Sequence, residues 1–192
     1  MTTNNLVDTS LSGQTGTVSF VGSTSPALVT PVLGASSATS LTFSSTSGVI
    51  GSATNDSAAT GSVGEYVSST VLVGSAVSTT NGATTNITTI SLTAGDWDVW
   101  GSICTTVGAG TTTTRIAGWV NSASATAPTA PGGGTFVYMY IGITAVNAVS
   151  FFPIGSARFS LSGTTTIYLT GQCNFAVSTM ALYGFIGARR VR

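Results

Sequence analysis

Asp96 and Asp98 are the carboxylates most suggestively placed for chemistry. They occupy alternate positions in Gly95-Asp-Trp-Asp-Val-Trp-Gly101. On an extended strand, alternate side chains leave the same face about 7 Å apart. Such a pair could hold a calcium ion with added carbonyl oxygens. It could also divide acid and base roles, as in glycoside hydrolysis. The competing assignment is structural: Asp96 caps a turn and Asp98 pairs with an arginine. Little else in the chain supports catalysis. There is no His and no Lys, so the commonest general base and the Schiff-base nucleophile are missing. A glycan-degrading protein should also be longer and carry more than five acidic residues. The structural assignment leads. No enzymatic activity, catalytic residue, metal site or cofactor is expected.

Three other groups of residues invite a chemical reading. Trp97, Trp100, Trp119, Tyr138 and Tyr140 could form an aromatic platform for sugars, though such residues more often fill a core or an interface. Cys104 and Cys173 are the only cysteines. Their spacing matches no metal motif. They read as buried free thiols, with a disulfide the alternative if their strands are neighbours. Asn86-Ile87-Thr88 matches the glycosylation acceptor pattern.

These residues need a scaffold, and composition constrains it. Charged residues make up 5% of the 192 positions, against about 25% in ordinary globular chains. Ser and Thr supply roughly a third. The mean hydropathy of +0.45 thus reflects missing charge, since the hydrophobic fraction, 42%, is ordinary. A surface with net charge near zero favours association. The few charges are also segregated. Asp8, Asp56, Glu65, Asp96 and Asp98 all precede Arg115, and Arg115, Arg158, Arg189, Arg190 and Arg192 follow without an acid. Either early and late strands pair and bring opposite charges together, or a basic C-terminus docks on an acidic partner.

No run reaches the roughly 18 apolar residues of a membrane-spanning helix. Met1-Thr-Thr-Asn-Asn5 lacks the basic and apolar regions of a secretory signal. No basic stripe marks a nucleic-acid binder. Neither membrane insertion nor nucleic-acid binding is expected.

Helical periodicity is almost absent, and the abundant Ser, Thr, Gly and Val are poor helix formers. Residues 1–62 have no Tyr or Trp, and their only Phe are Phe20 and Phe43. They cannot build a core and read as an extended arm, ordered along another surface or around other copies. Residues 63–192 read as a β domain of eight or more short strands separated by turn signals. Asn81-Gly82 signals a hairpin. Along Trp97–Cys104, the residues Trp97, Val99, Gly101 and Ile103 share one face, and Asp98, Trp100, Ser102 and Cys104 share the other. Further strands are expected at Glu65–Val67, Thr70–Val73, Asn86–Leu92, Thr111–Val120, Phe136–Ile141, Ser150–Ile154, Ala157–Leu161, Thr164–Cys173 and Met180–Ile186. Phe136–Ile141 and Met180–Ile186 are apolar on both faces, which points to one face against the opposing sheet and the other against a neighbouring subunit. The loop Asn121–Gly134, with Pro128, Pro131, Gly132, Gly133 and Gly134, is the candidate for external contact. The fold class expected is an all-β antiparallel sandwich with an extended N-terminal arm.

Three segments carry a resemblance. Ser25-Pro-Ala-Leu-Val-Thr-Pro-Val-Leu-Gly34 resembles a repeat of bacteriophage fibre and tail proteins. Ile90–Gly101 and the ending Tyr183-Gly-Phe-Ile-Gly-Ala-Arg-Arg-Val-Arg192 resemble C-terminal domains of phage virion proteins. They are more loosely similar to the trimeric jelly rolls of the tumour-necrosis-factor and C1q type. The resemblance implies a jelly-roll-like sandwich and a homotrimeric fibre or spike of the virion, assembled in the host cytoplasm. Its arm would attach to other virion proteins through Phe20, Leu28, Val29, Pro31 and Leu33. Its C-terminal domain would be displayed, with a host-surface glycan or protein as a further partner. The alternative is a capsid decoration or head-fibre protein that stabilises or ornaments the shell.

Overall fold

The strand that begins at Gly95 organises the fold. In the structure, a computed structural model, it runs over Gly95–Val107. Trp97, Val99 and Ile103 are fully buried on one face, while Asp98 is exposed and Trp100 half-buried on the other. The alternation expected from the sequence is therefore present. The structure describes residues 53–128, 136–144 and 150–192, the middle stretch by backbone course alone. All belong to one unit, Ser52–Arg192.

Nine strands occur among the described residues: β1 Tyr66–Val71, β2 Val77–Thr79, β3 Thr84–Leu92, β4 Gly95–Val107, β5 Thr112–Asn121, β6 Phe136–Thr144, β7 Ser150–Leu161, β8 Thr165–Ala176 and β9 Met180–Arg190. Every pairing between them is antiparallel. They form two sheets. The first runs β1-β9-β4-β7, with β2 also on β9; the second runs β3-β8-β5-β6. β1 and β2 lie in line along β9, separated by a 3-10 turn at Val73–Ser75. The pairs are nested: β2 with β9, β3 with β8, β4 with β7, and β5 with β6. This is an all-β structure of two packed sheets. Among the described residues no helix is long and apolar enough to cross a membrane.

The core lies between the sheets. The first sheet supplies Trp97, Val99, Ile103, Phe152, Ile154, Met180, Leu182 and Ile186; the second supplies Ile87, Ile90, Leu92, Ile116, Val120, Ile167, Leu169 and Cys173. Each such aliphatic side chain contributes about 1.5–3 kcal/mol by leaving water. Two bulges reconcile this core with an uneven sequence pattern. Ile87 is out of step with Ile90 and Leu92 by strict alternation, yet all three are buried. The register of β3 against β8 shifts between Asn86 and Thr88, which turns Ile87 inward. Likewise Ser150–Ile154 and Ala157–Leu161, expected as two strands, are one strand, β7. Its register against β4 shifts at Gly155-Ser156, which lie opposite the single residue Trp100.

Asn81-Gly82 does not make a hairpin. The strands it joins, β2 and β3, belong to different sheets. The hairpin turn favoured by Asn-Gly needs positive φ at both residues. Here only Gly82 is positive, at +74°, and Ala83 N donates to Thr80 O at 3.0 Å. That geometry splays the flanking strands, and β8 captures the turn. Gly82 N donates to Cys173 O, Phe175 N donates to Asn81 Oδ1, and Gln172 Nε2 donates to Gly82 O.

Candidate functional site

The outer face of the first sheet carries an aromatic surface. Tyr66 from β1, Trp100 from β4, Tyr183 and Phe185 from β9 and Phe151 from β7 all point away from the core. Strand register places them together: Ser102 is opposite Phe185, Cys104 is opposite both Tyr183 and Phe151, and Trp100 is opposite Gly187. The ring centroids of Tyr66 and Trp100 are 6.1 Å apart, tilted by 34°. Gly187 leaves room for two rings. A Cβ there would stand 2.8 Å from Phe185 Cζ and 3.2 Å from Trp100 Cε2. Tyr66 is 39% exposed and Phe151 65% exposed. Cys104 and Tyr183 hydrogen-bond to each other, and burial pushes both their pKa values up.

One end of this face is charged. Arg158 grips Asp96 with Nε and Nη2, at 2.8 and 2.7 Å, and Arg192 lies 3.2 Å away. Hydrogen bonding from Arg158 holds the Asp96 carboxyl below the usual carboxylate range. A carboxylate so held is a poor proton donor at neutral pH. Asp98 stands opposite Arg158 on one side and Arg189 on the other. The aspartate pair is thus built into arginine contacts, with Asp96 rather than Asp98 making the close ion pair. Among the described residues no three His, Cys, Asp or Glu side chains gather into a metal-binding group.

A second ion pair lies at the start of the unit. Arg190 Nε donates to Glu65 Oε2 at 2.9 Å and Nη1 to Ala94 O at 2.7 Å; Nη2 bonds Thr93 Oγ1. The guanidinium lies 4.4 Å from the centre of a Trp97 ring. Gly61 N donates to Glu65 Oε2 at 2.8 Å, and that bond is the main cause of the lowered Glu65 pKa. Two early acids, Glu65 and Asp96, therefore meet late arginines within the chain. This is the first of the two explanations open for the charge segregation.

The other candidate residues fall in different places. Trp97 and Trp119 are buried, at 0% and 1% exposure, and Trp100 alone of the three tryptophans reaches the aromatic face. Tyr138 and Tyr140 belong to β6, whose course is described by its backbone. Trp119 is covered by the beginning of the candidate contact loop. Its Nε1 and Asn121 Nδ2 both donate to Thr126 O. Asn86 pins the same loop, since its Nδ2 donates to Ser124 Oγ and its Oδ1 accepts from Ala125 N and Thr170 Oγ1. The Asn86 amide is occupied by these contacts and is not offered as an acceptor. Asn121 is thus an internal fastening of the loop. Pro128 is half-buried at the end of its described part. Pro131, Gly132, Gly133 and Gly134 lie outside the described residues, as do Phe20, Leu28, Val29, Pro31 and Leu33. Cys104 faces outward from the first sheet, whereas Cys173 belongs to the core of the other. Both are buried free thiols.

The tyrosines and phenylalanines of the face do not stand out in the sequence. The available signal is Met180–Ile186, apolar at both parities, combined with Tyr66 and Phe151 in neighbouring strands.

A flat pH profile follows from these groups. With no His, no side chain titrates at its ordinary value between about pH 5 and 8. Glu65 and Asp96 have folded pKa values below their ordinary 4.5 and 3.8. Their stabilisation is complete above those values and is lost as pH falls through the folded ones. Burial pushes the Cys173 thiol from 9.0 to about 12. The unfolded chain therefore ionises this thiol first, and stability declines as pH rises from 9 towards 12. Melting temperatures followed from pH 3 to 11 should show a plateau between about 5 and 8.5, falling on both sides. A marked slope inside the plateau contradicts the assignment.

Comparison of the chain with protein-family models, curated proteins and solved structures finds no match.

Proposed function

We propose that this chain is a non-enzymatic structural protein of a bacteriophage virion: a homotrimeric fibre or spike, attached through residues 1–62 and displaying residues 63–192. The observation that carries the reading is the partly exposed aromatic face of the first sheet. Monomeric proteins seldom leave such a surface open, and aromatic residues are enriched at the centres of protein interfaces. Close contacts between Glu65 and Arg190, and between Asp96 and two arginines, leave little charge to keep copies apart.

Two further points support the reading. The nested pairing of β2–β9, β3–β8, β4–β7 and β5–β6 fits an antiparallel ribbon wound once around itself. That is the jelly-roll path, the fold implied by the resemblance to trimeric domains. The phage assignment itself rests on the Ser25–Gly34 motif and the two resembling segments. Virion proteins serve as the attachment partners in this reading, with a host-surface glycan or protein at the displayed end.

Light scattering on the full chain tests the assembly. The expected mass is that of three copies of the 19.1 kDa chain. Replacing Trp100 and Phe185 together by Ser should raise the dissociation constant at least about 30-fold, the effect of losing one strong interface residue. The buried core faces the other way, so the variant should remain folded by circular dichroism. A wild-type monomer at micromolar concentration sinks the trimer. Gold-labelled antibodies against the chain, applied to intact particles of the source phage, test the location. Label on the tail supports a fibre or spike. Label over the head supports the alternative, capsid decoration. No label on particles whose protein content lacks the chain removes the virion role.

A further inference from the structure

Asn81-Gly82 is the only Asn-Gly step in the chain, and neither the hairpin expected from it nor the proposed assembly explains its contacts. Asn followed by Gly is the sequence most prone to spontaneous deamidation, because Gly carries no side chain to obstruct its own backbone nitrogen. That nitrogen loses its proton and attacks Asn81 Cγ. The C–N bond of the carboxamide breaks and ammonia leaves. The resulting succinimide then takes up water, opening to aspartate or isoaspartate. No oxidant or cofactor is required.

The fold restrains both reacting groups through one strand. Gly82 N, the nucleophile, donates its proton to Cys173 O at 2.8 Å. Asn81 Oδ1 accepts from Phe175 N at 2.9 Å, which fixes the carboxamide. Gln172 Nε2 donates to Gly82 O at 2.7 Å. All three fastenings come from β8. On the near side, the hydroxyls of Thr79 and Thr85 hydrogen-bond at 2.7 Å and hold the ends of β2 and β3 together. Ring closure requires the nitrogen to release Cys173 O and the carboxamide to rotate away from Phe175 N. Neither can happen while the turn stays on β8.

We propose that Asn81 is a modification site gated by the fold: it is closed to deamidation in the native chain and opens when the β2–β3 crossing lifts from β8. The modification is self-locking. Isoaspartate adds a methylene to the main chain between Thr80 and Gly82. The Ala83 N to Thr80 O bond and the contact with Phe175 N then no longer match, so a turn that has opened and reacted does not close again. A long-lived assembly would accumulate this lesion in step with local opening, independently of its global stability.

The test incubates the full chain at pH 8.5 and 37 °C, native and in 8 M urea, with peptide mapping of the one-dalton mass gain and of isoaspartate at position 81. The native rate should be at least about tenfold below the unfolded rate, because reaction follows the open population alone. Gln172→Leu removes one fastening of the turn, along with the bond that Gln172 Oε1 accepts from Arg115 Nη2, without touching the reacting groups. It should raise the native rate about fivefold, the open population gained by losing one hydrogen bond, and leave the rate in urea unchanged. Native and unfolded rates within a factor of two overturn the proposal. So does a Gln172→Leu chain that folds but deamidates at the wild-type native rate.

Discussion

Replacing Arg190 by Met should destabilise the two-sheet body by about 3–5 kcal/mol, the usual result of removing one partner from a buried ion pair. For a unit of this size that corresponds to a fall of roughly 10–20 °C in melting temperature. The magnitude follows from what the guanidinium holds. Arg190 is 5% exposed and bonds Glu65 from one segment and Thr93 and Ala94 O from another while lying over Trp97. Its loss leaves the Glu65 carboxylate, itself 7% exposed, held by the Gly61 N–H with no cation beside it. It also leaves Ala94 O without this donor. Removing both charges is less harmful, because a buried pair can be replaced by apolar groups of similar volume at little net cost. Arg190→Met with Glu65→Gln should therefore recover part of the loss. Acid titration separates this explanation from simple loss of packing. The wild type loses the Glu65 contribution as pH falls below about 4.5, whereas Arg190→Met keeps the Gly61 bond, the largest cause of the lowering, and should lose less over the same range by the share that Arg190 supplied. Equal acid sensitivity in both proteins refutes the charge account, and a single-variant cost below about 1 kcal/mol refutes the lock altogether.

The Arg190 lock also shows how much sequence can reveal. Segregation of five acids from five arginines along the chain is visible at once. It announces that early and late segments either meet each other or meet a partner. It does not say which acid meets which arginine, because those choices depend on register. Read from the sequence, Asp98 is the residue assigned to an arginine and Asp96 the one assigned to a turn. Asp96 makes the close pair because Arg158, which stands opposite Asp98, and Arg192 both reach back to it. Strand positions are readable for the same reason that the core is: period-two burial imposes itself on residues such as Trp97, Val99 and Ile103. Bulges escape, since a bulge is a register difference between two strands and belongs to neither alone. The Asn81-Gly82 hairpin fails similarly. Local turn chemistry favours a two-stranded ribbon, but β9 and β8 each offer a better partner to the strands on either side. The aromatic face is half legible. Apolar residues at both parities of Met180–Ile186 imply a second covered face, yet Tyr66 and Phe151 join it only through pairings made across the sheet.

The second large effect comes from the smallest side chain. Gly184 lies on β9 opposite Ile103, within the pairing that holds the middle of the first sheet together. A Cβ at this position would stand 2.1 Å from Ser102 O and 3.1 Å from Ser102 C. Both are main-chain atoms of β4, so no rotamer change relieves the clash. β4 and β9 must separate locally, breaking ladder bonds beneath Trp100 and Phe185. Gly184→Ala should therefore cost at least about 3 kcal/mol, the upper end of ordinary overpacking, and should also loosen the aromatic face that the proposed trimer uses. Gly74 and Gly163 supply the internal comparison. At neither would an added Cβ meet another atom within 4 Å, and neither has a positive φ that would strain alanine. Alanine there reduces the freedom of the unfolded chain and should be neutral or stabilise by up to about 1 kcal/mol. The same chemical change thus has opposite signs at different sites, decided by the approach of β4 to β9. Chemical denaturation of the three single variants measures it. If Gly184→Ala unfolds with the other two, within about 0.5 kcal/mol of the wild type, the close approach of these strands is not a feature of the folded protein, and the aromatic face built on their register loses its foundation.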